Sequence, residues 1–519
     1  MATTVPQRGT HTRQFGALCA PSQTSPSLLF TLDNMGNRSG TEKPLDEVWD
    51  FVVIGGGTAG LVAARTASSF GARVLLIERD RLGGDCLWTG CVPSKSLIAA
   101  AHTAATARKA DSLGVTAHAV DVDFAAVMRH VQTAMLTIAP VDSAESLDRD
   151  GVTVLGAAAE FADGRTLCAG GQKILFRQAM IATGGRPRLL EVEGADTVEM
   201  LTSDSFWDLQ TLPKRLLVVG GGAIGCELGQ ATARLGSQVT LIQRGNRLIP
   251  KESAEAEAII SAALAADGVD LRRGRTVQRV SSADGRAGQV QLDNRTMVEF
   301  DRILVALGRT PNSSSLGLEK AGVETDDRGR VLVDDHLRTS NPRIWAAGDV
   351  TPLPLFTHTA GVNGSIAAAN AILGLKRKVD RRVVPRVTFT QPEVAAVGLQ
   401  AADCTSSQHR VVTIDHHHLD RAIAESSADG FTQIITDRAG VLLGATIVGP
   451  RAGESLAEVT LAVKSRLTAS QIAGTTHPYP TFNDGVWNAC VAIVRDRLGN
   501  GLLKRATMTL FAVRRARMR

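Results

Sequence analysis

From Trp49 to Glu78 the chain reads as a strand, a glycine turn, a helix and a second strand, and from Leu216 to Ile242 it reads so again. Few folds accommodate that order twice. In the first copy the apolar run Phe51-Val52-Val53-Ile54 breaks at Gly55-Gly56-Gly57-Thr58-Ala59-Gly60, a small-residue helix follows to Phe70, and the run Arg73 to Ile77 closes on Glu78. Gly55 makes the turn, Gly57 admits a pyrophosphate to the backbone, and Gly60 lets the helix lie close to the sheet. The helix N-terminus then faces the phosphates, and Glu78 is placed to hold a ribose hydroxyl. An ordinary glycine turn does not require both strands, the helix and the terminal acid in this order.

The second copy runs from Leu216-Leu217-Val218-Val219 into Gly220-Gly221-Gly222-Ala223-Ile224-Gly225, a helix to Leu235 and a strand from Gln238 to Ile242. Two dinucleotide sites in one chain point to electron transfer between two dinucleotides. Here Gln243-Arg244 stands where the ribose-reading acid is expected. Loss of the carboxylate removes a charge that repels a 2'-phosphate, and Arg244 or Arg247 is available to pair with one, which favours NADPH over NADH. Read without a ligand, Arg244 is a solvated loop cation.

A chain of 519 residues, 44% hydrophobic and 21% charged, has enough material for two to four domains with full cores, which excludes a disordered, collagen-like or coiled-coil chain. Seven cysteines at this length do not make a secreted disulfide scaffold, and the expected compartment is the cytoplasm. No run approaches the ~18–20 apolar residues of a spanning helix. The net charge of +5 is unevenly placed: the stretch from Arg495 to the C-terminus carries +7, leaving −2 for the rest. A near-neutral body gives no reason to expect nucleic acid. The basic tail, residues 501–519, reads as a partly docked terminal helix with a solvated end, or as a contact for an acidic partner or an anionic membrane. Residues 1–47 are expected to be a disordered extension, with a targeting segment or a start at Met35 as alternatives.

Between the two glycine units lies Gly83-Gly84-Asp85-Cys86-Leu87-Trp88-Thr89-Gly90-Cys91-Val92-Pro93-Ser94-Lys95. Cysteines five apart cannot bridge in a regular helix, where the rise alone is ~7.5 Å. Gly90 permits the necessary bend, and Pro93 suits the first turn of a following helix, whose positive end would stabilise a Cys91 thiolate. A redox pair, two structural thiols and half of a metal site are the readings. No second Cys/His pair at ligand spacing supports a metal, and none is expected.

With these motifs the sequence resembles the flavin-dependent pyridine nucleotide-disulfide oxidoreductases, which include dihydrolipoyl dehydrogenase, glutathione reductase and mercuric reductase. Ala182-Thr183-Gly184-Gly185, Ala306-Leu307-Gly308-Arg309-Thr310-Pro311-Asn312, Ala346-Ala347-Gly348-Asp349 and Pro385 to Glu393 match further family motifs in order. The resemblance implies an α/β fold with two Rossmann-like domains, for FAD and NAD(P), and a C-terminal α+β dimerisation domain. On that reading residues 48–200 and 326–382 form the FAD domain, 201–325 the NAD(P) domain and 383–500 the dimer domain of a homodimer. Gly55, Gly57, Gly60, Glu78, Thr183, Gly184 and Asp349 would hold FAD, and Gly220, Gly222, Gly225, Arg244 and Gly308 the nicotinamide dinucleotide. Lys95 would lie by the flavin, paired with Glu227. Electrons would pass from NAD(P)H through FAD to a Cys86–Cys91 disulfide, with Cys91 facing the flavin and Cys86 attacking a small-molecule disulfide or comparable electrophile. Cys19, Cys168, Cys226, Cys404 and Cys490 read as ordinary thiols.

The family's thiol-disulfide members carry a catalytic histidine before a Pro-Thr and an acid a few residues on. Here the stretch is His477-Pro478-Tyr479-Pro480-Thr481-Phe482-Asn483-Asp484, which puts Tyr479 at the base position and Asp484 at the acid position. A phenol with reference pKa ~10 is a poor base at neutral pH. Either His477 supplies the base after a shift of two residues, or Tyr479 donates a hydrogen bond or acts as a ligand, or Tyr479 simply packs on a proline-rich turn. Two other functions stand beside the disulfide reductase: a diaphorase or quinone reductase working directly from flavin, and a redox-sensing flavoprotein.

Overall fold

The computed structural model describes residues 48–405, 407–499 and 501–518; the expectations for residues 1–47, Met35 and Cys19 lie outside them. Strand β1 (Trp49–Ile54) is buried at every position but Asp50, as expected for a central strand covered on both faces. It pairs in parallel with β2 (Val74–Glu78) on one side and with the strand Gln172–Ile181 on the other. β3 (Val152–Gly156) adds to β2, and Ile344–Ala346 adds to Gln172–Ile181, again in parallel. This sheet is therefore assembled from two stretches of chain separated by the second glycine unit. Helix α1 (Thr58–Ser69) lies between the sheet and the helix Thr357–Leu373; a Cβ on Gly364 would sit 2.3 Å from the Ala59 carbonyl oxygen, so only glycine permits that crossing.

The second glycine unit has its own parallel sheet, with Arg215–Val219 flanked by Gln238–Gln243 and Arg302–Val305, and Asp270–Arg273 outermost. Its helix Ala223–Leu235 is buried at most positions because the sheet covers one face and α3 (Cys91–Arg108), reached through the short α2 (Gly84–Trp88), covers another. Leu97 and Ala101 of α3 share one core with Leu228 and Ala231, and the same core takes in Val394, Phe431 and Val448. Each large apolar side chain so buried contributes roughly 1.5–3 kcal/mol, against ~0–1 kcal/mol for an exposed ion pair. Core packing, rather than surface charge, sets how the dithiol segment meets the second glycine unit.

The C-terminal part is a five-stranded antiparallel sheet in the order Arg386–Thr388, Glu393–Gly398, Leu442–Gly449, Phe431–Asp437, His409–Asp415. Val397, Ile434 and Ile447 on one face pack against Leu456, Val459, Val486 and Ile493 of the helices Ala452–Lys464 and Asp484–Gly499. The last helix is Gly501–Arg517, and its side chains from Lys504 onward are exposed. Among the described residues no helix is long and apolar enough to cross a membrane.

Candidate active site

The two glycine turns are built alike, with each feature of the first recurring 165 positions later. Gly55 and Gly220 both adopt left-handed backbone, with φ of +109° and +117°. At Gly60 a Cβ would lie 1.9 Å from the Gly55 carbonyl oxygen, and at Gly225 the same 1.9 Å from that of Gly220. No side chain fits there without moving the helix off its strand. Gly60→Ala is accordingly expected to abolish flavin retention, and Gly225→Ala to weaken nicotinamide binding while the flavin spectrum persists. Absorbance of the purified variants and NAD(P)H titration check both outcomes.

The residue ending the second strand differs between the copies, yet it does the same local work. Glu78 accepts from Gly56 N at 2.5 Å and from Asp80 N at 2.8 Å, and Gln243 accepts from Gly221 N at 3.0 Å. Each side chain closes its glycine turn, but only the first copy brings a carboxylate. Beside the second turn, Arg244, Lys251 and Arg275 line the cleft. Arg247 is committed elsewhere, donating to the carbonyl oxygens of Pro250 and Glu252 at 3.1 and 3.0 Å.

The residues fit two dinucleotides. A single cleft of ≈ 1480 Å³ joins both turns and is lined along its length by Glu78, Cys86, Cys91, Asp349, Gly222 and Arg244. Gly57 and Gly84 keep its floor open: a Cβ on Gly84, whose φ is +57°, would lie 2.6 Å from Gly57 Cα. Thr183 and Gly184 also line it; the Thr183 hydroxyl donates to the Asn312 carbonyl at 2.7 Å, and the Asn312 amide donates back to the Thr183 carbonyl at 3.1 Å. Gly308, with φ +99°, lines the same cleft.

The dithiol lies midway. α2 carries Cys86 and stops at Trp88; Gly90, at φ −122° and ψ −107°, bends the chain; α3 begins at Cys91 with Pro93 in its first turn. A Cβ on Gly90 would press on the Asp85 carbonyl oxygen at 2.8 Å, which is why the bend takes glycine. Both cysteines are free thiols, and Cys91 Sγ lies 3.2 Å from Thr357 Oγ1. The hydrogen bond with Cys86 holds the Cys91 thiol below its ordinary value; burial opposes this, and Thr357 and the Lys95 charge add to it. The same hydrogen bond, with burial, pushes Cys86 up. Of the pair, the shifts favour the thiolate at Cys91 and the proton at Cys86. Burial, helped by nearby carboxylates, pushes Cys226 and Cys490 up to about 12.

The structure brings Lys95 and Glu227 together from different units, with Nζ 2.9 Å from Oε2. Glu227 is buried, and its other oxygen accepts from Phe389 N at 2.9 Å, while the Lys95 ammonium sits 4.1 Å over the Phe389 ring. Arg309 makes a second bridge, its Nε 3.1 Å from Asp349 Oδ2, with its Nη2 donating to Gly185 O at 2.5 Å and to Asp85. Burial raises Asp85 and Asp349, and Arg309 opposes it. Thr357, Phe389, Arg309 and Asp85 were not singled out from the sequence. Asp85 and Arg309 lie inside recognised motifs, but their pairing joins positions 224 residues apart.

Tyr479, His477 and Asp484 are not among the residues lining this cleft. Tyr479 is 71% exposed and its hydroxyl donates to Asp420 Oδ2, which keeps the phenol protonated to higher pH than usual. His477 does not offer a free ring nitrogen: Nε2 faces Glu458 Oε1 at 2.8 Å and Nδ1 faces the Thr475 carbonyl at 2.9 Å. Two acceptors suit an imidazolium; burial lowers the ring's pKa, but Glu458 and the carbonyl outweigh it and raise it. Asp484 is turned inward, accepting from Thr481 N at 3.1 Å and lying 3.3 Å from its hydroxyl, at the start of the last packed helix. Neither Asp420 nor Glu458 has a sequence signal, since each meets its partner only through the fold of the C-terminal sheet.

Comparison with known proteins agrees with this geometry. Residues 49–364 match the family model described as pyridine nucleotide-disulphide oxidoreductase, and residues 384–490 match that family's dimerisation domain. The chain is 36% identical over 460 residues to a mercuric reductase of Streptomyces lividans, covering 86% of this chain and 97% of the relative. It is 34% identical over 451 residues to a dihydrolipoyl dehydrogenase of Chlamydia pneumoniae, covering 85% and 96%. Among solved structures, LpdA from Mycobacterium tuberculosis superposes with a TM-score of 0.80 at 28% identity over 86% of this chain and 99% of that one. RclA from Escherichia coli, titled an HOCl-induced flavoprotein disulfide reductase, superposes with a TM-score of 0.77 at 27% identity over 85% and 99%. Motifs, fold and relatives agree, and the chain belongs to the pyridine nucleotide-disulphide oxidoreductase family as an NAD(P)H-dependent FAD disulfide oxidoreductase with a dimerisation domain.

Proposed function

We propose that this enzyme takes electrons from NADPH and delivers them through Cys91 and Cys86 to a small electrophile that needs little protonation as it is reduced. The observation that carries the reading is the single cleft shared by both glycine turns and the dithiol. FAD held at the first turn would supply the two-electron relay between nicotinamide and dithiol. Glu227 fixes the Lys95 ammonium beside that relay, and Thr357 is placed to donate to the Cys91 thiolate. Cys86, deprotonated as it reacts, attacks one sulfur of a disulfide and expels the other half as a thiolate. Cys91 then attacks the Cys86 sulfur, releases the second thiolate and closes the Cys86–Cys91 bond, so that two electrons leave the dithiol for the substrate.

The released thiolates would be protonated by a base-turned-acid in a histidine enzyme. Here the expected position holds Tyr479, a phenol whose proton is tied to Asp420, and His477 is engaged at both nitrogens. Acceptors whose sulfur leaves as a stable thiolate are then favoured. A soft cation such as Hg(II), the ion in the names of several relatives, belongs to the same class, because it binds a thiolate without needing a proton. The expected result of an acceptor panel is reduction of an aromatic disulfide or Hg(II) at least ~100-fold faster, in kcat/KM, than glutathione disulfide or lipoamide. Equal rates across the panel, or a marked preference for lipoamide, would overturn this assignment.

The NADPH preference rests on the cations at the second turn and on Gln243 in place of an acid. Arg244 is exposed and lines the cleft, whereas Arg247 is held by backbone carbonyls. Loss of one charge-assisted contact to a 2'-phosphate costs ~1.5–3 kcal/mol, so Arg244→Ser is expected to lower kcat/KM for NADPH by roughly 10- to 100-fold and leave NADH nearly unchanged. Steady-state kinetics with the two nucleotides measures this directly; an equal fall for both would remove Arg244 from the assignment.

A further inference from the structure

The catalytic reading leaves the last helix without a role. Gly501–Arg517 runs 17 residues, about 26 Å at 1.5 Å per residue, and follows the packed helix Asp484–Gly499. Residues 497–519 contain no Asp or Glu, and from Lys504 onward six cations stand in the sequence. Large apolar side chains are exposed among them: Met508 63%, Leu510 69%, Phe511 66%, Val513 48% and Met518 71%. Helical spacing separates the two kinds in part. Ala506, Leu510 and Val513 share one row at intervals of four and three, whereas Phe511 and Met518, one heptad apart, lie toward the cations. Lys504 and Arg515, eleven apart, share a row on the other side.

The rest of the chain offers this surface no opposite net charge of comparable size. The chain before residue 501 is near neutral at −1, a second copy of the helix would repel it, and residues 1–44 carry four cations against two acids. Charge alone would suit an acidic protein, but charge combined with exposed Phe, Leu and Met suits an interface that is anionic on top and apolar beneath. We propose that the helix Gly501–Arg517 seats this enzyme on an anionic lipid surface, with Leu510 and Val513 entering the headgroup layer and the arginines meeting its phosphates. The body with its cleft remains in water, so the attachment is peripheral and independent of turnover.

The test is flotation of the full-length, flavin-loaded protein with vesicles of phosphatidylcholine, with and without phosphatidylglycerol. Binding is expected only with the anionic lipid, and added salt should weaken it. At about fivefold per cation, replacing Arg514, Arg515 and Arg517 together by Gln should weaken partition on the order of a hundredfold. Leu510→Ser with Val513→Ser should also weaken it, and removal of residues 501–519 should abolish it, each with NADPH-dependent turnover unchanged. The proposal is overturned if the full chain and the truncated chain float equally, or if neutral vesicles bind as well as anionic ones. It is also overturned if the protein ignores vesicles yet is retained by immobilised polyglutamate, because that outcome assigns the helix to an acidic protein.

Discussion

Cys86→Ser and Cys91→Ser should each lower disulfide-dependent turnover by roughly four orders of magnitude or more, since a hydroxyl cannot replace a thiol in exchange chemistry. The two variants should fail differently. With Cys91→Ser the substrate-facing Cys86 remains, so a disulfide substrate should leave one half of itself covalently attached, with nothing to resolve it. With Cys86→Ser the remaining thiol is Cys91, which the bend at Gly90 sets at the start of α3 beside Thr357 and Lys95. That variant should capture no substrate. Intact-protein mass after exposure to a disulfide distinguishes the two, and the order of the thiols is wrong if the adduct forms on the Cys86→Ser protein instead. Quinone reduction that survives both substitutions would belong to the flavin itself, whereas retained disulfide turnover in either one would remove the dithiol from the mechanism.

Breaking the ion pair between Lys95 and Glu227 should cost both stability and activity, unequally for its two ends. Lys95 keeps 37% of its side chain exposed and Glu227 only 8%. Lys95→Met leaves a buried carboxylate with the Phe389 N–H as its remaining donor, an expected loss of ~2–4 kcal/mol. Glu227→Leu leaves an ammonium that can still reach water and an unpaired Phe389 N–H, for which ~1–2 kcal/mol is expected. The double variant replaces charge by apolar volume and should recover most of the stability, since a well-packed apolar pair is often neutral against a buried ion pair. Turnover should not recover in it, because no cation remains beside the dithiol. Denaturant midpoints of the three flavin-loaded proteins, together with their turnover, test this. A double variant that regains turnover would mean that the pair serves packing alone.

Much of the site was legible because its chemistry is local. The glycine turns occupy a few consecutive residues, and each glycine answers a short-range demand: positive φ at Gly55 and Gly220, and backbone contact within five residues at Gly60 and Gly225. The redox segment is equally compact, with the bend at Gly90 and the helix start at Cys91 both following from residues 90–93. The pairing of Lys95 with Glu227 was reached only through family resemblance, because it spans 132 residues and depends on how α3 packs on the helix Ala223–Leu235. Glu78 and Gln243 show a subtler limit. The sequence marks them as different in charge, which is correct, but not that both close their turns through the same backbone bond.

The C-terminal residues mark where local reading stops. Pattern alone places Tyr479 at the base position and offers His477 as an alternative two residues away. Only the packed sheet and its helices bring Asp420 to the phenol and Glu458 to the imidazole, and those contacts make one side chain a held donor and raise the proton affinity of the other. Short-range backbone geometry and apolar periodicity are encoded residue by residue, so the sequence by itself determined the two dinucleotide turns, the dithiol and the family. Proton affinity and charge pairing depend on which groups meet across hundreds of residues. Tertiary structure alone therefore decided what holds Arg309 and which acids engage the tyrosine and the histidine of the C-terminal stretch.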